Sequence, residues 1–514
     1  MDIDFRLRDQ WSIPHQRPSS NDAPRVVVIG SGPTGAIAAY TLVQGGIPVT
    51  LLESGLRPPT GMLVRAAGQT VLRLRCDRAV IDHRVPGATL APLWYQLFAP
   101  GGLSNLWSGA VPRYCPEDFS DGAKLDECYR WPVTYDDLVP YYRRIERILR
   151  VRGSPVDVPQ QPHGEITRAS ELVGAWQTVA QHALTHEQGL IPVPLANGSD
   201  WAVYRRTSAF DSYTGIIQRL RRNTLFQLYL GSHALCLKWS SQKRRVTGVV
   251  FADRITGSQH YLPAAAVVIA AGALQSTKLL FDSACSDFPY GFGNTEGILG
   301  KYLHDHVHDY VLLHTARVLP RLHHPLNLTR SPYYSSAPLL ATLSTIGNSR
   351  QSLLRRVLDL TPAPSHTFTA ITFGTTIPTL DRCVYPSSTM KDEFGLPTLE
   401  IQMAFSQQEI ANIHQARERI LAIFGDAGFQ PSIQAALDQH IPGSSVHYGG
   451  TVRMHISSKD GMLDAWHRLH AVPNVLVVDS SAFTTSVEKN PTLTAMALAA
   501  RAAEHLVIQL KESL

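Results

Sequence analysis

The hydrophobic pattern opens on four apolar residues without alternation, Val26-Val27-Val28-Ile29. A strand buried on both faces reads this way, because neither side meets water. Gly30-Ser31-Gly32-Pro33-Thr34-Gly35 follows, then the alanine-rich stretch Ala36–Gln44, which predicts a helix ended by Gly45-Gly46. Val49-Thr50-Leu51-Leu52 predicts a second strand that ends at Glu53. Val267–Ala271, closed by Gly272, and Val475–Val478, closed by Asp479, repeat the buried-strand pattern. Residues 210–222 predict a helix, and 225–262 predict strands with a turn at 240–245. Thr134, with Asp137 three residues on, predicts a capped helix reaching about Arg150. Residues 310–405 are rich in Thr, Ser, Pro and β-branched side chains. They lack a helical period outside 350–359, which suits an antiparallel sheet. Ser406–Gly428 reads as helix. Asn490-Pro491 reads as the cap and first residue of a helix extending to about Leu510. The fold class is therefore α/β, α+β overall: a Rossmann-like domain with a second domain built on an antiparallel sheet.

Composition narrows the class. With 44% hydrophobic and 17% charged residues, the 514-residue chain can bury a large core and is not a disordered protein. The net charge of +5 is dispersed apart from Arg219–Arg222 and Lys243–Arg245, which excludes a nucleic-acid stripe. The six cysteines form no CxxC or other ligand spacing, so scattered reduced thiols and no metal are expected. Met1–Pro24 is polar, without the apolar stretch of a signal peptide. The longest apolar run, Leu262–Leu274, is too short to span a bilayer. A cytoplasmic protein without a membrane span is expected.

The glycine loop carries the first chemistry. Between a strand and a helix, Gly30 allows the tight turn, Gly32 lets the backbone approach a pyrophosphate, and Gly35 lets helix and strand touch. The helix N-terminus presents free N–H groups to an anion. Glu53, 23 residues after Gly30, suits the ribose hydroxyls of an adenosine. The motif alone does not separate FAD from NAD.

Further segments resemble the glucose–methanol–choline (GMC) oxidoreductase family, over about Arg25 to Leu510. They are Gly30–Glu53, Gly101–Gly109, Val267–Ala273 with Gln275-Ser276, Gly300–His306, His447–Met454, Val477–Ser481 and Asn490–Thr494. Within the family the likeness is greatest to pyranose oxidase-like sugar oxidoreductases. The resemblance implies an FAD-dependent oxidation of a CH–OH group, with a sugar, glycoside or aminosugar as substrate. It places cofactor contacts at Gly30, Gly32, Pro33, Thr34, Gly35, Glu53, Gly101, Gly102, Ser104, Asn105, Leu106, Ala234, Ala271, Gly272, Asp479, Ser480, Pro491 and Thr492. Pyranose oxidases often attach FAD to a histidine. The matching position here is Leu106, so noncovalent FAD is expected. His455 stands where the family usually has Gly. The resemblance also implies a discontinuous FAD-binding domain (24–110, 201–307 and 441–514), a substrate domain (111–200 and 308–440) and an N-terminal arm (1–23).

Alcohol oxidation needs a base for the O–H proton and an acceptor for the hydride. A neutral imidazole suits the base near pH 7. His447 is the candidate base, with Asn490 to hold the alcohol oxygen. His304, His306 and His308, with Asp305 and Asp309, show no clear ligand spacing and read as a structural segment. Trp107 and Trp131 read as packing residues. An FAD-containing lyase or isomerase on the same fold, without net redox turnover, is the alternative function.

Overall fold

The computed structural model describes residues 25–56, 77–78, 94–162, 164–172, 174–197, 210–319, 322, 324–330, 339–348, 365–433 and 440–512. The expected N-terminal arm at 1–23 and the helical period at 350–359 lie outside the described residues. The chain runs β1 (Val26–Ile29), α1 (Pro33–Gln44), β2 (Val49–Glu53), α2 (Pro116–Ser120), α3 (Tyr135–Leu149), α4 (Ala175–Thr185), β3 (Gln188–Pro192), β4 (Phe226–Leu230), β5 (Ser232–Ser240), β6 (Arg245–Asp253), β7 (Gln259–Pro263), β8 (Ala266–Ile269) and α5 (Ala273–Asp282). It continues through β9 (Val307–Leu319), β10 (Leu326–Arg330), β11 (Thr342–Asn348), β12 (Ser365–Gly374), β13 (Cys383–Lys391), β14 (Pro397–Gln402), α6 (Gln407–Asp426), β15 (Phe429–Ile433), β16 (Arg468–Leu469), β17 (Val472–Val477) and α7 (Thr492–Glu512).

The first sheet has the order β16-β17-β8-β1-β2-β4 and is parallel except for the short edge strand β16. Val26, Val27 and Val28 have no exposed surface, as the unbroken apolar run requires. Burying each of these side chains contributes roughly 1.5–3 kcal/mol. Helices α1 and α7 pack together against this sheet, and their apolar faces join its core.

The second sheet, β15-β9-β12-β11-β10-β3, is wholly antiparallel. Its core sets Trp176 of α4 and Phe424 of α6 against Phe368 and Phe429 of the strands. The edge strand β3 had no sequence signal. It is short and non-alternating, and only pairing with β10 makes it a strand. A third sheet, β7-β6-β5, is a meander with the turn at the expected place.

Local signals explain the helix starts. Thr134 and Asp137 exchange both bonds of a capping box at α3, and Ser406 and Glu409 do the same at α6. The start of α7 differs from expectation. The helix begins at Thr492, not Pro491, and the Pro491 carbonyl accepts the bond from Ala495 N. Asn490 therefore lies one residue too early to cap the helix. His455 avoids positive φ, and its buried ring accepts from Ser457 N and reaches the Glu127 carbonyl. Trp131 is buried against Phe119 and Phe483. No helix of the described residues is long and apolar enough to cross a membrane.

Candidate active site

The glycine loop lies at the C-terminal end of β1. Gly30 has φ +99°, and a Cβ there would stand 2.4 Å from the Ala270 carbonyl oxygen, so only glycine fits. A Cβ at Gly35 would stand 2.0 Å from the Gly30 oxygen, which is the close approach of α1 to the turn. At Gly32, by contrast, nothing lies within 4 Å of the Cβ position. Helix α1 starts beside this open face with Pro33 at its first position and no side-chain cap. Its first-turn N–H groups, Thr34 and Gly35 among them, are offered outward.

Glu53 ends β2, next to that loop. Its buried carboxylate accepts Ser31 N at 3.1 Å, Ser31 Oγ at 2.5 Å and Gly55 N at 2.6 Å. Burial raises its pKa, and these hydrogen bonds oppose the rise. Ser31 Oγ also receives Gly101 N at 2.9 Å, which draws the Gly101–Asn105 segment across the start of α1. Within the segment, Ser104 Oγ donates to the Gly101 carbonyl at 2.6 Å and Asn105 Nδ2 to that of Gly102 at 2.8 Å. Leu106 follows this turn, partly exposed. Asp479, just past β17, accepts Gly272 N at 3.0 Å through one oxygen and Ser481 N at 3.0 Å through the other. That bond joins the ends of β8 (Ala271, Gly272) and β17. Ala234 lies on β5, beside His233, whose Nδ1 is 3.0 Å from Ser54 Oγ. An uncapped helix end, an open glycine face and a buried acid at the end of β2 fit the pyrophosphate and ribose of a dinucleotide such as FAD.

The histidine segment comes to the same end of the sheet. Ser480 links the two, since its carbonyl accepts Gly450 N at 3.1 Å and its Oγ donates to the Tyr448 carbonyl at 2.9 Å. Upstream, the buried Asp305 carboxylate accepts Gly443 N at 2.9 Å, His447 N at 3.1 Å and Ser445 Oγ. Burial raises the Asp305 pKa to about 6, against the pull of those donors. Val446 sits at φ +62°, a left-handed conformation that costs a β-branched residue on the order of 1–2 kcal/mol. The Asp305 bonds on either side hold it there and fix the direction of the next side chain, His447.

Asn490 Nδ2 lies 3.2 Å from His447 Nε2, and His306 Nδ1 lies 3.1 Å from His447 Nδ1. Phe373 of β12 covers both rings, with centroids 5.3 Å from His447 and 5.5 Å from His306. Burial, then the neighbouring His306 and His308, holds the His447 pKa well below its usual value. The ring is neutral at pH 7, as a base must be. His447 and Asn490 both keep partial access to solvent, while Glu488 and Lys489, which precede Asn490 in sequence, are buried. Lys489 Nζ bonds Asp118 of α2 at 2.7 Å and Glu488 at 2.8 Å, which anchors the segment leading to Asn490.

The structure thus brings His447 and Asn490 together and gathers the glycine loop, Glu53, Gly101–Leu106, Gly272 and Asp479 along one sheet edge. Pro491 and Thr492 lie at the start of α7, beside Asn490. His306, Asp305 and Phe373 escaped the sequence reading as site residues. The first two lie in the Gly300–His306 segment, read as structural, and only the fold brings them against position 447. No group of three or more His, Cys, Asp or Glu among the described residues is arranged to hold a metal.

Comparison with known proteins identifies the family. Two GMC oxidoreductase domains match, the N-terminal one over residues 126–308 and the C-terminal one over 382–499. The chain is 27% identical to 2-methyl-1,2-propanediol dehydrogenase of Mycolicibacterium austroafricanum, covering 95% of this chain and 96% of that protein. It is 28% identical to paromamine 6'-oxidase of Streptomyces fradiae, covering 93% and 90%. The fold matches the crystal structure of pyridoxine 4-oxidase from Mesorbium loti with a TM-score of 0.69 at 19% identity, covering 94% and 99%. The chain belongs to the GMC oxidoreductase family, whose members are flavoproteins, and is an oxidoreductase.

Proposed function

We propose that the protein binds FAD noncovalently and oxidises a CH–OH group of a small polar molecule: a sugar, glycoside or aminosugar. The observation that carries this reading is the 3.2 Å contact between Asn490 Nδ2 and His447 Nε2, at a partly accessible spot beside an uncapped dinucleotide cradle. The amide nitrogen can only donate, so the ring nitrogen facing it holds a lone pair. A hydroxyl that displaces the amide from Nε2 gives its proton to that nitrogen and receives a hydrogen bond on oxygen from Asn490. Bound FAD supplies the acceptor for the hydride leaving the alcohol carbon. The low basicity of His447 keeps it unprotonated and ready at pH 7.

The cradle residues named above hold the cofactor, with Glu53 on the ribose and the start of α1 on the pyrophosphate. Residues 24–110, 201–307 and 441–514 form the cofactor domain, and 111–200 with 308–440 the substrate domain, which lends Phe373 to the site. The relative named for oxidising paromamine supports an aminosugar or glycoside substrate. Leu106 has no nucleophile, which supports noncovalent attachment: acid precipitation should release the flavin into the supernatant.

The test is an anaerobic panel of sugars, glycosides, aminosugars and simple alcohols, with flavin absorbance as readout. At least one member should bleach the flavin. His447→Ala should bind FAD and slow the bleaching by about a hundredfold to ten-thousandfold. Bleaching at the unaltered rate in that variant would refute the assignment.

A further inference from the structure

We infer that His306 is a positioning residue: together with Asn490 it holds His447 in the tautomer in which Nε2 rather than Nδ1 has the lone pair. The inference rests on His447 being the base of the proposed reaction. Asn490 Nδ2, a donor only, faces Nε2 at 3.2 Å, so the ring proton of neutral His447 belongs on Nδ1. There it meets another imidazole nitrogen, His306 Nδ1, at 3.1 Å. One of those two nitrogens must carry the hydrogen. The Asn490 contact gives it to His447, so His306 accepts at Nδ1 and carries its own proton on Nε2. The Val487 carbonyl faces the His306 ring, where it would accept the proton this tautomer leaves on the ring. The order is therefore Val487 carbonyl, His306, His447, Asn490 amide. Val487 and Asn490 belong to one short segment, so a single piece of chain holds both ends.

The surroundings leave the two rings to set each other. His306 is buried and held neutral, at a pKa of about 3, by burial first and then by His304 and His308. His304 and His308 are themselves lowered by burial, to about 3 and about 4. Asp305 is spent on Gly443 N, Ser445 Oγ and His447 N. The orienting partner of the base is thus an uncharged acceptor. It sets direction without drawing the His447 pKa up, as a carboxylate would. When Nε2 takes a proton, Nδ1 keeps its own and continues to donate to His306.

The experiment uses FAD-loaded protein with 15N-labelled histidine, the His447 signals being assigned by their loss in His447→Gln. The ring should appear in the Nδ1–H form. In His306→Phe, which offers no acceptor, that form should give way to a mixture, and anaerobic flavin reduction should fall by about a hundredfold with half-saturation little changed. In His306→Asn, whose carboxamide oxygen can accept from Nδ1–H, the Nδ1–H form and most of the rate should return. An Nε2–H form in the unaltered protein would overturn the inference. So would an unchanged Nδ1–H form in His306→Phe, even with a lower rate, because the loss would then come from packing. If His447→Ala reduces flavin at full rate, the base assignment falls by itself, while the tautomer signals still decide the role of His306.

Discussion

The side-chain nitrogen of Asn490 stands 3.2 Å from Nε2 of His447, and neither residue caps a helix or closes a turn with that group. Because α7 starts two residues later, the carboxamide is free for the site. Replacing Asn490 with Ala removes one hydrogen bond to the reacting oxygen, and flavin reduction should slow about tenfold to a hundredfold. Asn490→Asp tests the sign of the electrostatics. A carboxylate beside His447 stabilises the imidazolium and raises its pKa, so activity should fade at a mildly acidic pH that the unaltered enzyme tolerates. Stopped-flow reduction from pH 5 to 8 reads both.

Glu53 is a buried acid whose bonds go to the glycine loop and to Gly55. Glu53→Gln keeps the shape and removes the charge. FAD affinity should weaken by about tenfold to a hundredfold, measured by titrating apoprotein with FAD.

Mild acid should destabilise the fold through its buried histidines. His304, His306, His308 and His467 are buried with pKa values of about 3, 3, 4 and 4, below the ordinary 6.5. The unfolded chain therefore binds protons below pH 6.5 that the folded chain refuses, and stability falls as pH falls. Asp118, Asp282 and Asp305, raised to about 6, pull the other way between about pH 4 and 6, over a smaller shift. Each histidine contributes on the order of 1 kcal/mol per pH unit. The Tm should fall steadily from pH 6.5 toward 4, and most steeply between 6.5 and 6, where the carboxyl groups do not yet offset the loss. A flat Tm across pH 6.5 to 5 would contradict the neutral buried histidines.

Lys489 has no exposed surface and balances two acids, Asp118 and Glu488. Lys489→Met leaves both carboxylates uncompensated and should cost about 3–5 kcal/mol, visible in chemical denaturation. Lys489→Met combined with Asp118→Asn and Glu488→Gln should recover much of that stability, because the group left behind is neutral.

The proposed cofactor half of the site was legible because each of its parts is local. Strand, glycine turn, helix and acid lie within the stretch from Val26 to Glu53, and backbone sterics at Gly30 and Gly35 demand glycine. The capping box at Thr134 was legible for the same reason. The partners of His447 were not. His306 is 141 residues away in sequence and looks like any buried histidine until β9 and the Asp305 bonds carry it to the site. The helix start at Asn490-Pro491 misled by one residue. A proline preceded by asparagine reads as a first position with its cap, but here the helical ladder starts from the Pro491 carbonyl and the asparagine serves His447. Strand β3 shows the same limit, since its pairing with β10 is what defines it.

The parallel sheet is assembled from distant stretches: β1 pairs with β8, and β8 in turn with β17. During synthesis the Gly30 turn leaves the ribosome long before the strand that brings Asp479 and the segment that brings Asn490. Over that interval a nascent chain carries an unfinished sheet with an exposed apolar edge. A cofactor that binds only the completed sheet would by mass action favour the finished fold over the unfinished one.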